Sequence, residues 1–271
     1  EIIKILNIKA ILITFFLVLT ASITTAGPTA SIAIDVKNNK VLMERFSNTR
    51  LHPAGLTKLM TLYVAFQAIE SGEVGLDDPI RVSGKAEWVI GTEVELKKDT
   101  VINLRYLIRA SGVGGANDAS MALAEGLSGS EELFAQRMNI TAKDIGLKRS
   151  AWKNPHGLTE KGHMSSAKDL ANLFIAHARD FPEYFHLFSH RTADAGSRQV
   201  SNSSRRLLSG VKGTTGAKYG YTHAAGYSGV VFVERSGKGI VAVVLGEKST
   251  VKLITRINAI IDAAYEKIKL N

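Results

Sequence analysis

The sequence predicts an α/β protein, one unit whose sheet is built from both ends of the chain with a helical segment inserted between them. Three observations carry this. Residues 30–46 alternate apolar and polar positions as a hairpin does. The middle of the chain repeats apolar residues at helical spacing. The last third returns to strand-like runs and closes on an amphipathic helix. With 271 residues and 45% apolar content, the chain is long enough to bury a proper core. No repeat, low-complexity tract or linker divides it.

In 30-ASIAIDVKNNKVLMERF-46 one arm alternates Ile32, Ile34 and Val36. Asn38-Asn39 turns, and Val41-Leu42-Met43 returns. Leu56, Leu59, Met60, Tyr63, Val64, Phe66 and Ile69 recur at helical spacing on nearly every side, which predicts a buried helix over 56–70, ended by Gly72. Residues 79–103 read as short strands and loops, followed by helices near 103–110 and 116–126. Ser128-Gly-Ser-Glu131 reads as a capping box for a helix over 131–145, and Ser166 with Asp169 as one for a helix over 167–179, before Pro182. Val230–Val233 and Ile240–Leu245 are strand-like and Ser236-Gly237 joins them as a hairpin. Leu253, Ile254, Ile257, Ile260, Ile261 and Ala264 make 250–268 an amphipathic helix.

Composition excludes several classes. There is no cysteine, so neither disulfides nor cysteine metal sites hold the fold. Lys and Arg exceed Asp and Glu by 34 to 25, a modest and dispersed excess that reads as a solvated basic surface, with no nucleic-acid partner. Residues 1–26 read as a secretory signal. Lys4 and Lys9 give a charged start, Ile11–Leu19 a short apolar core, and Thr24-Thr25-Ala26 small residues for cleavage before Gly27. The apolar stretch falls short of the roughly 20 residues of a spanning helix, so no stable membrane anchor is expected. Loss of Lys4, Lys9 and Glu1 leaves 32 basic and 24 acidic residues, a charge of +8 on residues 27–271. An exported, cysteine-free chain fits a bacterial periplasm.

Two tempting motifs fail. In 210-GVKGTTGAK-218 the lysine does not directly follow the last glycine, no Ser or Thr follows it, and a strand comes next, so it is not a phosphate loop. His156, His163 and His177 have no usual metal-ligand spacing and read as turn and surface histidines. Trp88 and Trp152 read as core or groove-wall residues. No metal or other cofactor is implied.

The informative stretches are 53-PAGLTKLMT-61, 115-GANDAS-120, 152-WKNPHGLT-159 and 218-KYGYTHAAGY-227. A serine three residues before a helical lysine shares its face, so that the amine can take the serine proton and the hydroxyl can attack a carbonyl. In order and spacing these stretches resemble the D-alanyl-D-alanine carboxypeptidases, the low-molecular-mass penicillin-binding proteins, over the whole chain after the signal. The resemblance implies the penicillin-binding, β-lactamase-like fold: an antiparallel sheet flanked by helices, with a helical subdomain. It also implies descent from enzymes that trim the terminal D-alanine of peptidoglycan stem peptides, and a stem peptide or β-lactam-like ligand as partner.

Carried over residue by residue, the resemblance places Gly55 where the family has its serine nucleophile and Gly115 where it usually has the serine of Ser-x-Asn. Tyr219 stands where it has the threonine of Lys-Thr-Gly. Lys58, Asn117, Lys218 and Gly220 keep the family's residues. The resemblance further implies that Gly55 and Tyr221 supply oxyanion-hole N–H groups and that Tyr219, Gly220, Tyr221 and Thr222 line the strand that pairs with substrate. It puts Leu253 where relatives often carry a carboxylate-binding arginine, with Arg256 three residues on. Thr57 lies roughly 200° round the helix from Gly55 and should point away. Thr61 is one turn past Lys58, and nothing places Ser111 against that lysine. The two readings are a binding protein that has lost acylation, and an enzyme that uses water or a substitute nucleophile.

Overall fold

In the computed structural model, which describes residues 29–269, the sheet of five strands forms as the two chain ends come together. β1 (Ala30–Asp35) and β2 (Lys40–Arg45) make the N-terminal hairpin; β7 (Thr214–Thr222), β8 (Gly226–Arg235) and β9 (Lys238–Glu247) make the C-terminal part. The order is β2-β1-β9-β8-β7, antiparallel throughout, with Ala30 opposite Leu245 and Asp35 opposite Ile240 where the two ends meet. Ser236-Gly237 turns β8 into β9 with both residues at positive φ. The signal segment lies outside the described residues.

Both faces of the sheet are covered, and the central strand shows why its sequence is a continuous apolar run rather than an alternation. Val241, Val243 and Leu245 of β9 face the larger core with α1 (Thr57–Glu70) and α6 (Ala167–Asp180). Ile240, Ala242 and Val244 face the smaller core with Leu253, Ile257 and Ile261 of α9 (Thr250–Lys269). Helix α1 is buried on every side from Thr57 to Phe66, as its all-round apolar pattern requires.

Between β2 and β7 lies the helical region. It contains β3 (Pro79–Arg81), α2 (Gly84–Glu87), β4 (Val101–Asn103), α3 (Leu104–Arg109), α4 (Asn117–Ser128) and α5 (Glu131–Asp144). After α6 come α7 (Pro182–Phe185), β5 (Thr192–Asp194), β6 (Gln199–Ser201) and α8 (Arg205–Gly210). The β5–β6 hairpin, α7 and α8 are too short to show a period and were not legible in the sequence.

Both capping boxes and the placement of Trp88 differ from expectation. The N-cap of α5 is Ser130, whose hydroxyl accepts from Leu133 N at 3.2 Å; Ser128 ends α4 instead. Ser166 does cap α6, accepting from Asp169 N at 3.1 Å, but the Asp169 carboxylate turns to Arg149 N and Ser150 Oγ, so the reciprocal half of the box is missing. Trp152 is fully buried, whereas Trp88 is 79% exposed and lines no wall of the main cleft.

Candidate active site

Chain geometry brings the four informative stretches to one cleft of about 570 Å³, between the sheet edge and the helical region. Gly55, Lys58, Gly115, Asn117, His156, Lys218, Tyr219, Gly220, Tyr221 and Thr222 all line it. The nucleophile, lysine, asparagine and strand positions carried over by the resemblance are thus on one surface, whereas Leu253 and Arg256 do not line it. β7 is the edge strand of the sheet, so residues 218–222 form one wall.

Lys58 is the second residue of the buried helix and is 3% exposed. Its amine donates to Asn117 Oδ1 and to His156 O, both at 2.7 Å. Burial lowers its pKa from 10.5 to about 7, with the buried Asp118 carboxylate pulling the other way. Asp118 is itself held by the N–H groups of Val94, Leu96 and Ala119. Asn117 also donates to Ile90 O at 2.7 Å, so its amide is fixed at both ends and its oxygen faces the lysine. Among the described residues no hydroxyl is hydrogen-bonded to Lys58; both of its partners are acceptors of another kind.

Gly55 sits in a single 3-10 turn, Ala54–Leu56, ahead of α1. The chain enters it through Ala54 at φ 48°, a left-handed conformation uncommon for alanine. A Cβ on Gly55 would lie 2.9 Å from Tyr219 O and 3.1 Å from Gly220 Cα; a Cβ on Gly220 would lie 2.5 Å from Gly55 N. The two glycines therefore let the β7 backbone press against the helix start. A serine at 55 needs β7 to withdraw.

Lys218 is fully buried and donates to two carbonyls, Ser111 O at 3.0 Å and Gly112 O at 2.5 Å. Those carbonyls belong to a π-turn over Ala110–Gly114, where wider winding frees oxygens from the usual ladder. Burial, then the Lys58 charge, pushes the Lys218 pKa well below its ordinary value. The π-turn ends at Gly115, φ +78°, where a Cβ would meet Ser203 Oγ at 3.0 Å. Ser203 thus brings a hydroxyl to the corner where Gly115 has none.

The other hydroxyls near the helix are engaged elsewhere. Thr57 Oγ1 lies 2.8 Å from His163 Nε2. Lys153 N donates to His163 Nδ1, so Nε2 carries the proton and Thr57 accepts it, facing away from the cleft as its helical position requires. Thr61 donates to Pro155 O and Ser111 pairs with Ser120. Leu253 is buried in the smaller core, and Arg256 is tied to Glu247. Tyr219 is half-buried, its ring 6.4 Å from that of Tyr227. It borders the cleft without filling it.

The histidines depart from expectation. His156, His163 and His177 are all buried, not on the surface. His156 faces Glu131 at 3.4 Å, and burial lowers its pKa against that carboxylate's pull. Burial drives His163 to about 3 and His177 to about 4. No cluster of metal-ligating side chains occurs among the described residues. Ser201, Ser203 and Arg205 were missed in the sequence. They reach the cleft through β6 and the start of α8, and a serine- and arginine-rich loop carries no periodic signal.

The 18 cleft residues include Arg205 and no carboxylate, so the cavity favours a ligand bearing negative charge even though burial suppresses the charge of Lys58 and Lys218.

Comparisons with known proteins agree with this geometry. A model of the family described as D-alanyl-D-alanine carboxypeptidase matches residues 19–249. The chain is 31% identical over 245 residues to the D-alanyl-D-alanine carboxypeptidase DacF of Bacillus subtilis, covering 88% of this chain and 62% of that one. It is 33% identical over 227 residues to DacC of Escherichia coli, covering 81% and 56%. The chain thus spans less than two thirds of the length of these relatives. Among solved structures, the carboxypeptidase DacD of Francisella tularensis matches with a TM-score of 0.81 at 25% identity, covering 86% of this chain and 69% of that one. Penicillin-binding protein D2 of Listeria monocytogenes, in its ampicillin-bound form, matches with a TM-score of 0.76 at 26% identity, covering 87% and 96%.

Proposed function

From the premise that the chain belongs to the D-alanyl-D-alanine carboxypeptidase family of peptidoglycan metabolism, we propose that it binds the D-Ala-D-Ala end of peptidoglycan stem peptides, or a cell-wall partner presenting similar chemistry, without serine acylation. The observation that carries this reading is the pairing of Gly55 with Lys58. The position that would hold the nucleophile has no side chain and no room for a Cβ. The amine that would activate it is hydrogen-bonded to an amide oxygen and a carbonyl.

The binding half of the site supports the other part of the reading. The edge strand β7 offers its backbone to an extended peptide. Arg205 brings positive charge to a cleft with no carboxylate, which suits a terminal carboxylate, while burial suppresses the charge of Lys58 and Lys218. Residues 1–26 act as an export signal, so that residues 27–271 work in the periplasm; no helix among the described residues is long and apolar enough to cross a membrane.

A second reading has one observation in its favour. A lysine with a pKa of about 7 is partly neutral at neutral pH and can accept a proton from water. On that reading Lys58 drives slow hydrolysis with no covalent intermediate. The two readings share binding and differ in product.

The test is paired. Calorimetric titration of a D-Ala-D-Ala peptide should give saturable binding, and a fluorescent penicillin should leave no covalent label on the denatured protein. A labelled band would establish a nucleophile and overturn the proposal; absence of peptide binding would overturn its other half.

A further inference from the structure

Beside the main cleft, behind Tyr219, is a second, smaller pocket of about 140 Å³. Its walls include Ser203, Ser204, Arg205, Arg206, Tyr219 and Thr250, and no carboxylate. Ser203, Arg205 and Tyr219 border both cavities, so the tyrosine stands as a partition between them.

Three independent features of this pocket point the same way. Arg205 and Arg206 are exposed, and neither guanidinium takes part in any of the ion pairs or side-chain hydrogen bonds found among the described residues. Both cations are therefore available. Ser204 is 1% exposed, yet its hydroxyl has no hydrogen-bond partner. It stands at the N-cap position of α8 without making the capping bond. A buried hydroxyl left unpaired loses its hydration without return, so a partner that enters the pocket recovers that cost. Thr250 is the first residue of α9, a helix of 20 residues whose positive end faces this side.

We propose that this pocket is an anion site, in which Arg205, Arg206 and the Ser204 hydroxyl hold a phosphate or carboxylate group at the start of α9. A group of that size fits the volume, and it answers at once the two free cations and the orphan hydroxyl. The site is built by α8 and α9 residues of this chain. It stands independently of whether the main cleft holds a stem peptide. The anion has two possible sources: a free oxyanion, or an acidic group on the molecule in the main cleft that reaches past Tyr219.

Inorganic phosphate and, separately, acetate would be titrated into the folded chain at constant ionic strength, followed by heteronuclear NMR. The expected result is a saturable shift of the amides of 203–206 and 250–252 with at least one of the two anions. Arg206→Ala should weaken it about tenfold or more. Ser204→Ala should weaken it several-fold without lowering the thermal midpoint, since that hydroxyl bonds nothing in the protein. That variant separates ligand binding from a structural role. A D-Ala-D-Ala peptide, compared with its C-terminal amide, then identifies the source. Displacement of the anion by the acid but not the amide assigns the site to the cleft's own ligand; no displacement assigns it to a free oxyanion. No saturable shift with either anion, or equal binding by wild type and both variants, would overturn the proposal whatever the main cleft binds.

Discussion

Replacing Lys58 by methionine should change stability with a sign that depends on pH. Burial lowers the Lys58 pKa from 10.5 to about 7. At about 1.4 kcal/mol per pH unit, that fall means the charged amine costs the folded state about 5 kcal/mol. Between those two values the unfolded chain binds more protons than the native one, so wild-type stability rises with pH through the window. The cost is fully present below about pH 7 and gone above 10.5. Methionine removes it at every pH. The same change strips the donor from Asn117 Oδ1 and His156 O, at about 1–2 kcal/mol each. Lys58→Met should therefore stabilise by about 1–3 kcal/mol at pH 6 and destabilise by about 2–4 kcal/mol at pH 10.5. Lys218 is common to both proteins, so its own burial largely cancels. Urea denaturation at a series of pH values measures the difference. A stability difference that stays flat from pH 6 to 10.5 would refute the claim that Lys58 is a buried, charge-suppressed amine.

Gly55→Ser should lower stability by about 1–3 kcal/mol, because its Cβ meets Tyr219 O at 2.9 Å, and should not restore labelling by fluorescent penicillin; a labelled band would show that β7 yields easily. Gly157→Ala should cost about 3 kcal/mol or more by thermal melting, since position 157 has φ +92° and a Cβ there would collide with Ala54 O. Ser130→Ala should cost about 1 kcal/mol as a lost cap, whereas Ser128→Ala should stay within about 0.5 kcal/mol; the reverse order would restore the capping box read from the sequence.

Much of the fold was legible because its signals are local and periodic. The alternation at 30–46, the all-round apolar helix at 56–70 and the terminal hairpin and helix each state their own geometry. The site was legible for a different reason: motif order and spacing identified four distant stretches, and the chain folds them onto one cleft. What escaped depends on tertiary surroundings. Histidines in polar-looking segments became buried once Thr57, Leu59 and Glu131 offered partners. Trp88 emerged on the surface although its type favours burial. The π-turn at 110–114 and the loop carrying Ser203, Arg205 and Arg206 have no period to read. The contact of Gly55 with β7 links positions about 165 residues apart, which no sequence window contains.

The most direct measurement is release of D-alanine from a peptide ending in D-Ala-D-Ala, by the purified chain from Gly27 onward. Without a serine nucleophile, no release above a buffer blank is expected at any pH from 6 to 10, while the peptide still binds. Release that rises as Lys58 loses its proton near pH 7, and vanishes in Lys58→Met, would contradict it and make this chain an enzyme that uses water where its relatives use serine.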